Sequence, residues 1–277
     1  MPFGHKNAPA IFSRVVVAAY KEFIHRFLEV YFDDRTVFGL VKTNVASLCL
    51  MLDTCQKYQI SLNLKKCIFY VPYWILLGHI VSKQGLMVDP TKIAVFINLQ
   101  PPKKFKQLRM MLGHTMYYRK FIKVYVEIIF PMEKLLKKYV TFCRDEDCHK
   151  ILDILKEKMV IAPILVFPDW KEEFHVHVDA SCIALGVVLT QLGEGDIDHL
   201  IAFASRKSLK VDNNYSTIER EGLEMVYALQ KFRHYLLGAH FKMYTNHSAF
   251  KYLVNKPVLG VGESIDGCFS FKNMTSK

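Results

Sequence analysis

The sequence predicts a multidomain chain of mixed α+β and α/β class, and three observations carry that expectation. Its 277 residues suffice for about two domains. In the first half, short apolar runs bounded by turn residues alternate with helix-period segments, the pattern of helices laid on a sheet. In the second half, Phe174–Ser181 alternates strictly between apolar and polar residues, as a half-buried strand does. A long helix-period segment then runs from about Thr217 to Leu237.

The elements are expected in this order. Asn7-Ala8-Pro9 opens a helix that continues to about His25, with apolar positions at Ile11, Val15, Ala18, Ala19 and Phe23. Glu29–Phe32 and Thr36–Val41 read as a hairpin turning at Asp33-Asp34, and Ala46–Tyr58 as an amphipathic helix. Ile60–Leu62, Cys67–Val71 and Ile75–Val81 read as short strands around turns at Asn63, Pro72 and Gly85. Asp89-Pro90 then opens a helix that Pro101-Pro102 breaks. Phe105–Tyr125 is a second helix and Pro131–Lys138 a third, before a link that holds a further helix over Cys148–Met159. Pro163 and Pro168 mark the boundary of a C-terminal domain. Its strands are FHVHVDAS, Leu185–Gln191, Leu200–Ser205 and Phe241–Thr245, with an acidic loop at Gly193–Asp198. Gly238 stops the long helix, Ser248–Val254 is a short helix, and periodicity fades from Pro257 onward.

Composition narrows the function. Hydrophobic residues are 51% and charged residues 23%, which fits globular domains rather than disorder. No apolar run approaches the ~18 residues of a membrane span, and MPFGHKNAPA lacks the apolar core of a signal peptide. The seven cysteines, at 49, 55, 67, 143, 148, 182 and 268, have no metal-ligand spacing. Cys143 and Cys148 with His149 make only half of a zinc pattern. An odd, dispersed set fits reduced thiols inside a cell, in cytoplasm or nucleus. The net charge of +11 is uneven: Met87–Val140 carries eleven Lys or Arg against Asp89, Glu127 and Glu133. A concentrated basic segment suits a polyanion partner, although a solvated helix face is the commoner fate of such a run.

Tyr31-Phe32-Asp33-Asp34 is the stretch with the most chemistry in it. Two adjacent carboxylates end an apolar, aromatic run. Strand neighbours point to opposite faces, so only a tight turn brings both acids to one site. Paired acids that hold a divalent ion suit phosphoryl transfer. The plainer alternative is a polar hairpin turn with Arg35 neutralising an acid.

Nine motifs in order make the chain resemble the Pol polyprotein of gypsy-type long-terminal-repeat retrotransposons, from inside the reverse transcriptase palm into ribonuclease H. They are MPFGHKNAPAIF, VYFDD, LNLKKC, LLGHIVSKQGL, MLGHTMYYRKFI, PILVFPD, HVDAS, NNYSTIEREGLEMVYALQKFRHYLLG and MYTNH, and they cover about residues 1–256. The resemblance implies a partial palm over 1–86, a helical thumb over 87–140 and a connection over 141–172. It then implies an incomplete ribonuclease H-like mixed sheet over 173–256 and a divergent tail. It gives Asp33 and Asp34 a share in binding two Mg²⁺ ions (or Mn²⁺) at the polymerase site. Phe3, Gly4, Lys6, Asn7, Ala8 and Pro9 border the deoxynucleotide pocket. Gly78 and His79 fall in the hairpin that grips the primer, and Tyr117, Tyr118, Arg119 and Lys120 run along an RNA/DNA hybrid or template–primer duplex. For Tyr117 and Phe121 packing inside the thumb is the favoured alternative, and for Arg119 and Lys120 solvent or phosphate. Asp179 matches the first ribonuclease H acid and Glu221 best matches the helix acid, with Glu219 and Glu224 as nearby alternatives whose plainer reading is an exposed helix face.

The sequence also departs from the family. Met1 opens a motif that is internal to a complete polymerase, so the third polymerase carboxylate lies outside these residues. Arg35 stands where the family has an apolar residue, placed to pair with an aspartate and compete with metal. Asn246 replaces the acid of the family's TDH motif, which removes one anionic ligand. Past Lys256 the last ribonuclease H helix has no match. These departures predict an inactive polymerase and an impaired nuclease. They leave two alternatives, a nucleic-acid binder without catalysis and a genomic relic. Missing structure at either end is also expected to expose apolar surface.

Overall fold

The structure is a computed structural model that describes residues 6–136, 146–181, 183–193, 195–209, 212, 215–245 and 270–273. Its contacts divide the chain into two units, Met1–Val71 and Pro72–Lys277. Phe3, Gly4, Asn246, the expected helix over Ser248–Val254 and three of the cysteines (143, 182 and 268) lie outside the described residues.

In the first unit, α1 (Ala8–Ala19) opens with Pro9 in its first turn, where the missing N–H costs nothing. Asn7 precedes it, without a side-chain capping bond. The helix stops at Tyr20, short of the expected His25. Strands β1 (Leu28–Tyr31) and β2 (Asp34–Val37) form an antiparallel hairpin. The next helix, α2 (Val41–Lys57), starts earlier than its apolar spacing implied and takes in the last residue of the expected returning strand. Ile60–Leu62 and Cys67–Val71 are not strands. A single 3₁₀ turn, Leu64–Lys66, lies between them, with Asn63 Oδ1 accepting from the Lys65 N–H at 3.2 Å. The buried core of this unit is small: Val16, Tyr20, Leu28, Met51 and Cys55. The Tyr20 hydroxyl lies 2.8 Å from Cys55 Sγ, and burial pushes the phenol pKa upward. Large side chains stay exposed nearby, including Leu64 at 71% and Tyr70 at 63%.

The second unit begins with a three-stranded meander, β3 (Tyr73–Leu76), β4 (His79–Ser82) and β5 (Gly85–Val88). The apolar run Ile75–Val81, expected as one strand, is folded back on itself at Leu77-Gly78. Both turn residues have positive φ, 51° and 74°, which matches a tight hairpin turn to the strand twist. Helices α3 (Pro90–Ile97), α4 (Phe105–Tyr117) and α5 (Tyr125–Leu135) follow, with a 3₁₀ turn at Arg119–Phe121. Phe105–Tyr125 is therefore not one helix: it breaks at Tyr118, and Val124 has φ 51°. Pro131 lies inside α5 rather than opening a third helix. Asp89 caps α3 through Thr91, its Oδ1 accepting from the N–H at 2.8 Å and its Oδ2 from the hydroxyl at 2.7 Å. Helix α6 (Glu146–Val160) packs on this group through Ile151, Leu152, Leu155 and Met159.

Leu165 then exchanges two backbone hydrogen bonds with Leu86, and the Val166 N–H donates to Leu200 O at 2.8 Å. One extended segment thus joins the meander to the sheet that follows. That sheet is ordered β10-β9-β6-β7-β8, from β6 (Phe174–Ala180), β7 (Ala184–Leu192), β8 (Asp198–Lys207), β9 (Phe241–Thr245) and β10 (Ser270–Asn273). Strands β6, β9 and β10 run parallel and β7 is antiparallel to both β6 and β8. One face, with Phe174, Val176, Val178, Val187 and Leu189, forms a core with Met225 and Ala228 of α7 (Thr217–Lys231). The short α8 (Arg233–Leu236) follows it. No described helix is long and apolar enough to cross a membrane.

Candidate active sites and nucleic-acid interface

The paired acids sit at the tip of the β1–β2 hairpin. The turn residues are Phe32 and Asp33, not Asp33 and Asp34, and Tyr31 pairs with Asp34. Phe32 holds φ 51°, an unusual conformation for a bulky side chain and one that a tight turn imposes. Both aspartates are exposed. The register places Leu28, Val30, Arg35 and Val37 on one face and Glu29, Tyr31, Asp34 and Thr36 on the other. Arg35 accordingly turns away from Asp34, and its guanidinium lies 5.7 Å from the Tyr20 ring centroid, over the buried core. The expected Arg35–aspartate pair does not form among the described residues. Lys6, Asn7 and Pro9 precede this hairpin at the start of α1.

The turn between β3 and β4 is held by the end of α4. The Tyr117 hydroxyl donates to Leu77 O at 2.6 Å and the Tyr118 hydroxyl to Gly78 O at 3.0 Å. Tyr118 is buried at 7% exposure, and burial drives its pKa up to about 12. His79 is also buried, with Nδ1 3.1 Å from Leu77 O and its ring against Tyr117, Tyr118 and Phe121. Burial first, and the Lys120 charge second, hold the imidazole pKa below its usual value. Tyr118, expected along the duplex, and His79, expected in the primer-gripping hairpin, build the corner itself. Tyr117, for which interior packing was favoured, is the half-exposed ring of the two, while Phe121 is interior as expected. Arg119 and Lys120 are half-buried, and desolvation lowers the Lys120 pKa. Exposed cations of this region include Lys103, Lys104, Lys106 and Arg109 at the start of α4, together with Lys92 and Lys123. A cleft of about 600 Å³ opens beside the turn, lined by Gly78, Lys92, Phe96, Gly113, Tyr118 and Met159.

In the five-stranded sheet, Asp179 lies near the end of β6 opposite Gly186. Helix α7 turns Glu221, Glu224, Met225 and Ala228 inward, at the i, i+3, i+4, i+7 spacing of one face. Glu221 Oε2 accepts from the Thr245 hydroxyl at 2.7 Å, and Thr245 ends β9. Because β9 lies parallel beside β6, that bond brings the Glu221 carboxylate to the same end of the sheet as Asp179. Glu224 is fully buried, and its Oε1 accepts from the Gly186 N–H at 2.6 Å. It is not on an exposed helix face. Only Glu219 is exposed: it and Ser216 form the capping box that starts α7. The sequence offered Glu224 as an alternative to Glu221 or as part of an exposed helix face, although its spacing from Glu221 already put the two on one face.

Comparison with known proteins agrees with this layout. A family model for reverse transcriptase (RNA-dependent DNA polymerase) matches residues 1–97. One for the RNase H-like domain found in reverse transcriptase matches 145–243. Among curated Drosophila melanogaster proteins, the Pol polyprotein from transposon 297 is 37% identical over 257 residues. That alignment covers 92% of this chain and 24% of the relative. The Pol polyprotein from transposon opus is 36% identical over 260 residues, 89% of this chain and 26% of the relative. This is a homologue of transposon Pol polyproteins. The Pol homologue spans about a quarter of the length of those relatives. In fold, it resembles a foamy viral protease-reverse transcriptase in complex with dsDNA at a TM-score of 0.84. That match has 20% identity and covers all of this chain and 60% of the other.

Proposed function

We propose that the chain is the palm-to-ribonuclease H part of a gypsy-type long-terminal-repeat retrotransposon Pol. In this reading it binds RNA/DNA hybrid or template–primer duplex, and its hybrid-cleaving centre is present but weakened. The observation that carries this is order: a reverse transcriptase match followed by an RNase H-like match, on a chain homologous to transposon Pol over about nine-tenths of its length. A solved foamy viral neighbour was captured on an RNA/DNA hybrid, which supports the choice of ligand.

The nuclease centre is built from Asp179, Glu221 and the position of Asn246. An all-oxygen donor set suits a hard divalent ion such as Mg²⁺, with Mn²⁺ as the substitute. When bound, such ions activate a water and stabilise the leaving oxygen. The Thr245 hydroxyl positions the Glu221 carboxylate for that task. Asn246 offers an amide where a carboxylate would offset the ion's charge, so metal affinity falls. In the first unit, Asp33 and Asp34 are the polymerase pair, with Phe3, Gly4, Lys6, Asn7 and Pro9 bordering the deoxynucleotide pocket. Arg35 faces away from them and does not occupy their metal-binding face. Lys103, Lys104, Lys106 and Arg109 are the phosphate contacts, ahead of Arg119 and Lys120. Four described cysteines, 49, 55, 67 and 148, form no disulfide, in keeping with cytoplasm or nucleus.

The test is a purified chain, a labelled RNA–DNA hybrid and Mg²⁺. Binding that weakens steeply with salt, and cleavage close to background, are the expected results. Rapid cleavage that Asp179→Asn abolishes would overturn the weakened centre. Salt-independent binding would overturn the phosphate contacts.

A further inference from the structure

The sheet of the second unit carries a cluster that neither catalytic reading uses. His175 and His177 are two residues apart on β6, so strand alternation sends both imidazoles to the face opposite α7. Asp198, the first residue of β8, reaches both across β7. Its Oδ1 lies 2.8 Å from His175 Nδ1 and its Oδ2 3.4 Å from His177 Nε2. The three candidate ligand atoms all lie within 4.8 Å of one another. Thr190 Oγ1 sits 3.1 Å from His177 Nε2, and the Tyr244 ring stacks on His177 at 4.7 Å and 11°, which fixes the imidazole plane.

A histidine–aspartate contact is often only an ion pair. Here, however, one carboxylate presents a separate oxygen to each of two ring nitrogens, and the three groups come from two strands that are not neighbours. The cluster is closed on one side and open on the other: the His175 side chain is 10% exposed and that of Asp198 35%. We propose that His175, His177 and Asp198 bind one borderline divalent transition-metal ion of the zinc class, with water as the fourth ligand.

The geometry is near what zinc needs. Bonds of ~2.0–2.2 Å in a tetrahedron hold ligand atoms roughly 3.3 Å apart. The two carboxylate–imidazole distances, 2.8 and 3.4 Å, bracket that value, and Asp198 stands at the exposed start of its strand. Two imidazoles select zinc, cobalt or nickel over Mg²⁺, whose sites are built from oxygen. Nδ1 of His175 must be free of a proton to ligate, so metal affinity rises with pH. Two cations stand near. Lys242, opposite His175 in register, is ion-paired with Glu173, and Lys123 acts electrostatically on His177. The ion ties the start of β8 to β6 across β7, a clamp on the sheet independent of the carboxylates at its end.

The experiment is titration of the full chain with Zn²⁺, and with Co²⁺ for its absorption bands, in excess Mg²⁺ so that oxygen-only sites are filled. One zinc ion per chain should bind and raise the thermal midpoint. Asp198→Asn and His177→Gln should each weaken it by about tenfold or more and remove the midpoint shift. Asp179→Asn should leave it in place. Because Asp198 is exposed, its amide variant is expected to fold, and an unshifted midpoint without metal checks that. No zinc binding in excess Mg²⁺, or equal binding in both variants, overturns the site. Loss of binding in Asp179→Asn alone assigns the ion to the nuclease centre and overturns it equally.

Discussion

Gly78 has two separate reasons to be glycine. Its φ is +74°, and an added Cβ would lie 2.7 Å from the Tyr118 hydroxyl. Gly78→Ala is expected to lower stability by about 1–3 kcal/mol. A denaturant midpoint equal to wild type would contradict the corner as described. His79, beside it, takes its proton only below the usual imidazole range in the folded chain. The unfolded chain takes the same proton near pH ~6.5. Between those two points the unfolded state binds more protons, so stability falls as the pH drops through that window. Denaturation from neutral to mildly acid pH should therefore show a slope that His79→Gln flattens. An identical slope in the variant would remove His79 from the account. The Arg35 reversal is also a residue-scale effect. The paired acids were legible as a motif, but the turn begins at Phe32, one residue earlier than expected. In the observed register Arg35 pairs with Val30 and shares the face of Leu28, and so it meets Tyr20 rather than an aspartate.

Elements with a strong local signal were legible where they start. Pro9 in the first turn of α1, Asp89-Pro90 at α3 and the alternation of β6 all carry their own chemistry. Elements set by tertiary contact were not. The apolar run of β3 and β4 has no turn residue except Gly78, and its fold-back is held by tyrosines 40 residues later in the chain. The break after α4 is likewise packed rather than spelled out, since Phe121, Ile122 and Tyr125 are all buried there. Strand β10 follows a stretch without periodicity and is placed by pairing with β9. The capping box is the clearest local device. Ser216 Oγ accepts from the Glu219 N–H, and the Glu219 carboxylate accepts from the Ser216 N–H. Ser216→Ala should cost about 1 kcal/mol, read as a lower thermal midpoint. Since Glu221 sits in the second turn of α7, it should also reduce whatever hybrid cleavage remains. No change in midpoint would mean that α7 is held by its buried face alone.

At the scale of the whole molecule, the proposed function rests on Glu221 and Asp179 lying at one end of a sheet and on cations along the preceding helices. The second unit is tied along its length: Leu86 to Leu165, Val166 to Leu200, Val126 N–H to Ser205 Oγ, and Lys207 to Glu133. Those ties give the five-stranded sheet and the basic helices a common frame, as the proposed duplex binding by both would need. HVDAS and the helix motif fall on β6 and α7, and they carry the residues of the proposed nuclease centre, Asp179 and Glu221. The inward turn of Glu224 and the Thr245–Glu221 bond were not legible in the sequence, because they depend on which face of α7 meets the sheet. The most direct test is Mg²⁺-dependent cleavage of an RNA–DNA hybrid by three chains: wild type, Asn246→Asp, and Asn246→Asp with Glu221→Gln. Asn246→Asp should cleave at least about tenfold faster than wild type, as restoring an anionic metal ligand implies. Adding Glu221→Gln should return it to background. An Asn246→Asp chain no faster than wild type, or one indifferent to Glu221→Gln, would contradict the centre proposed.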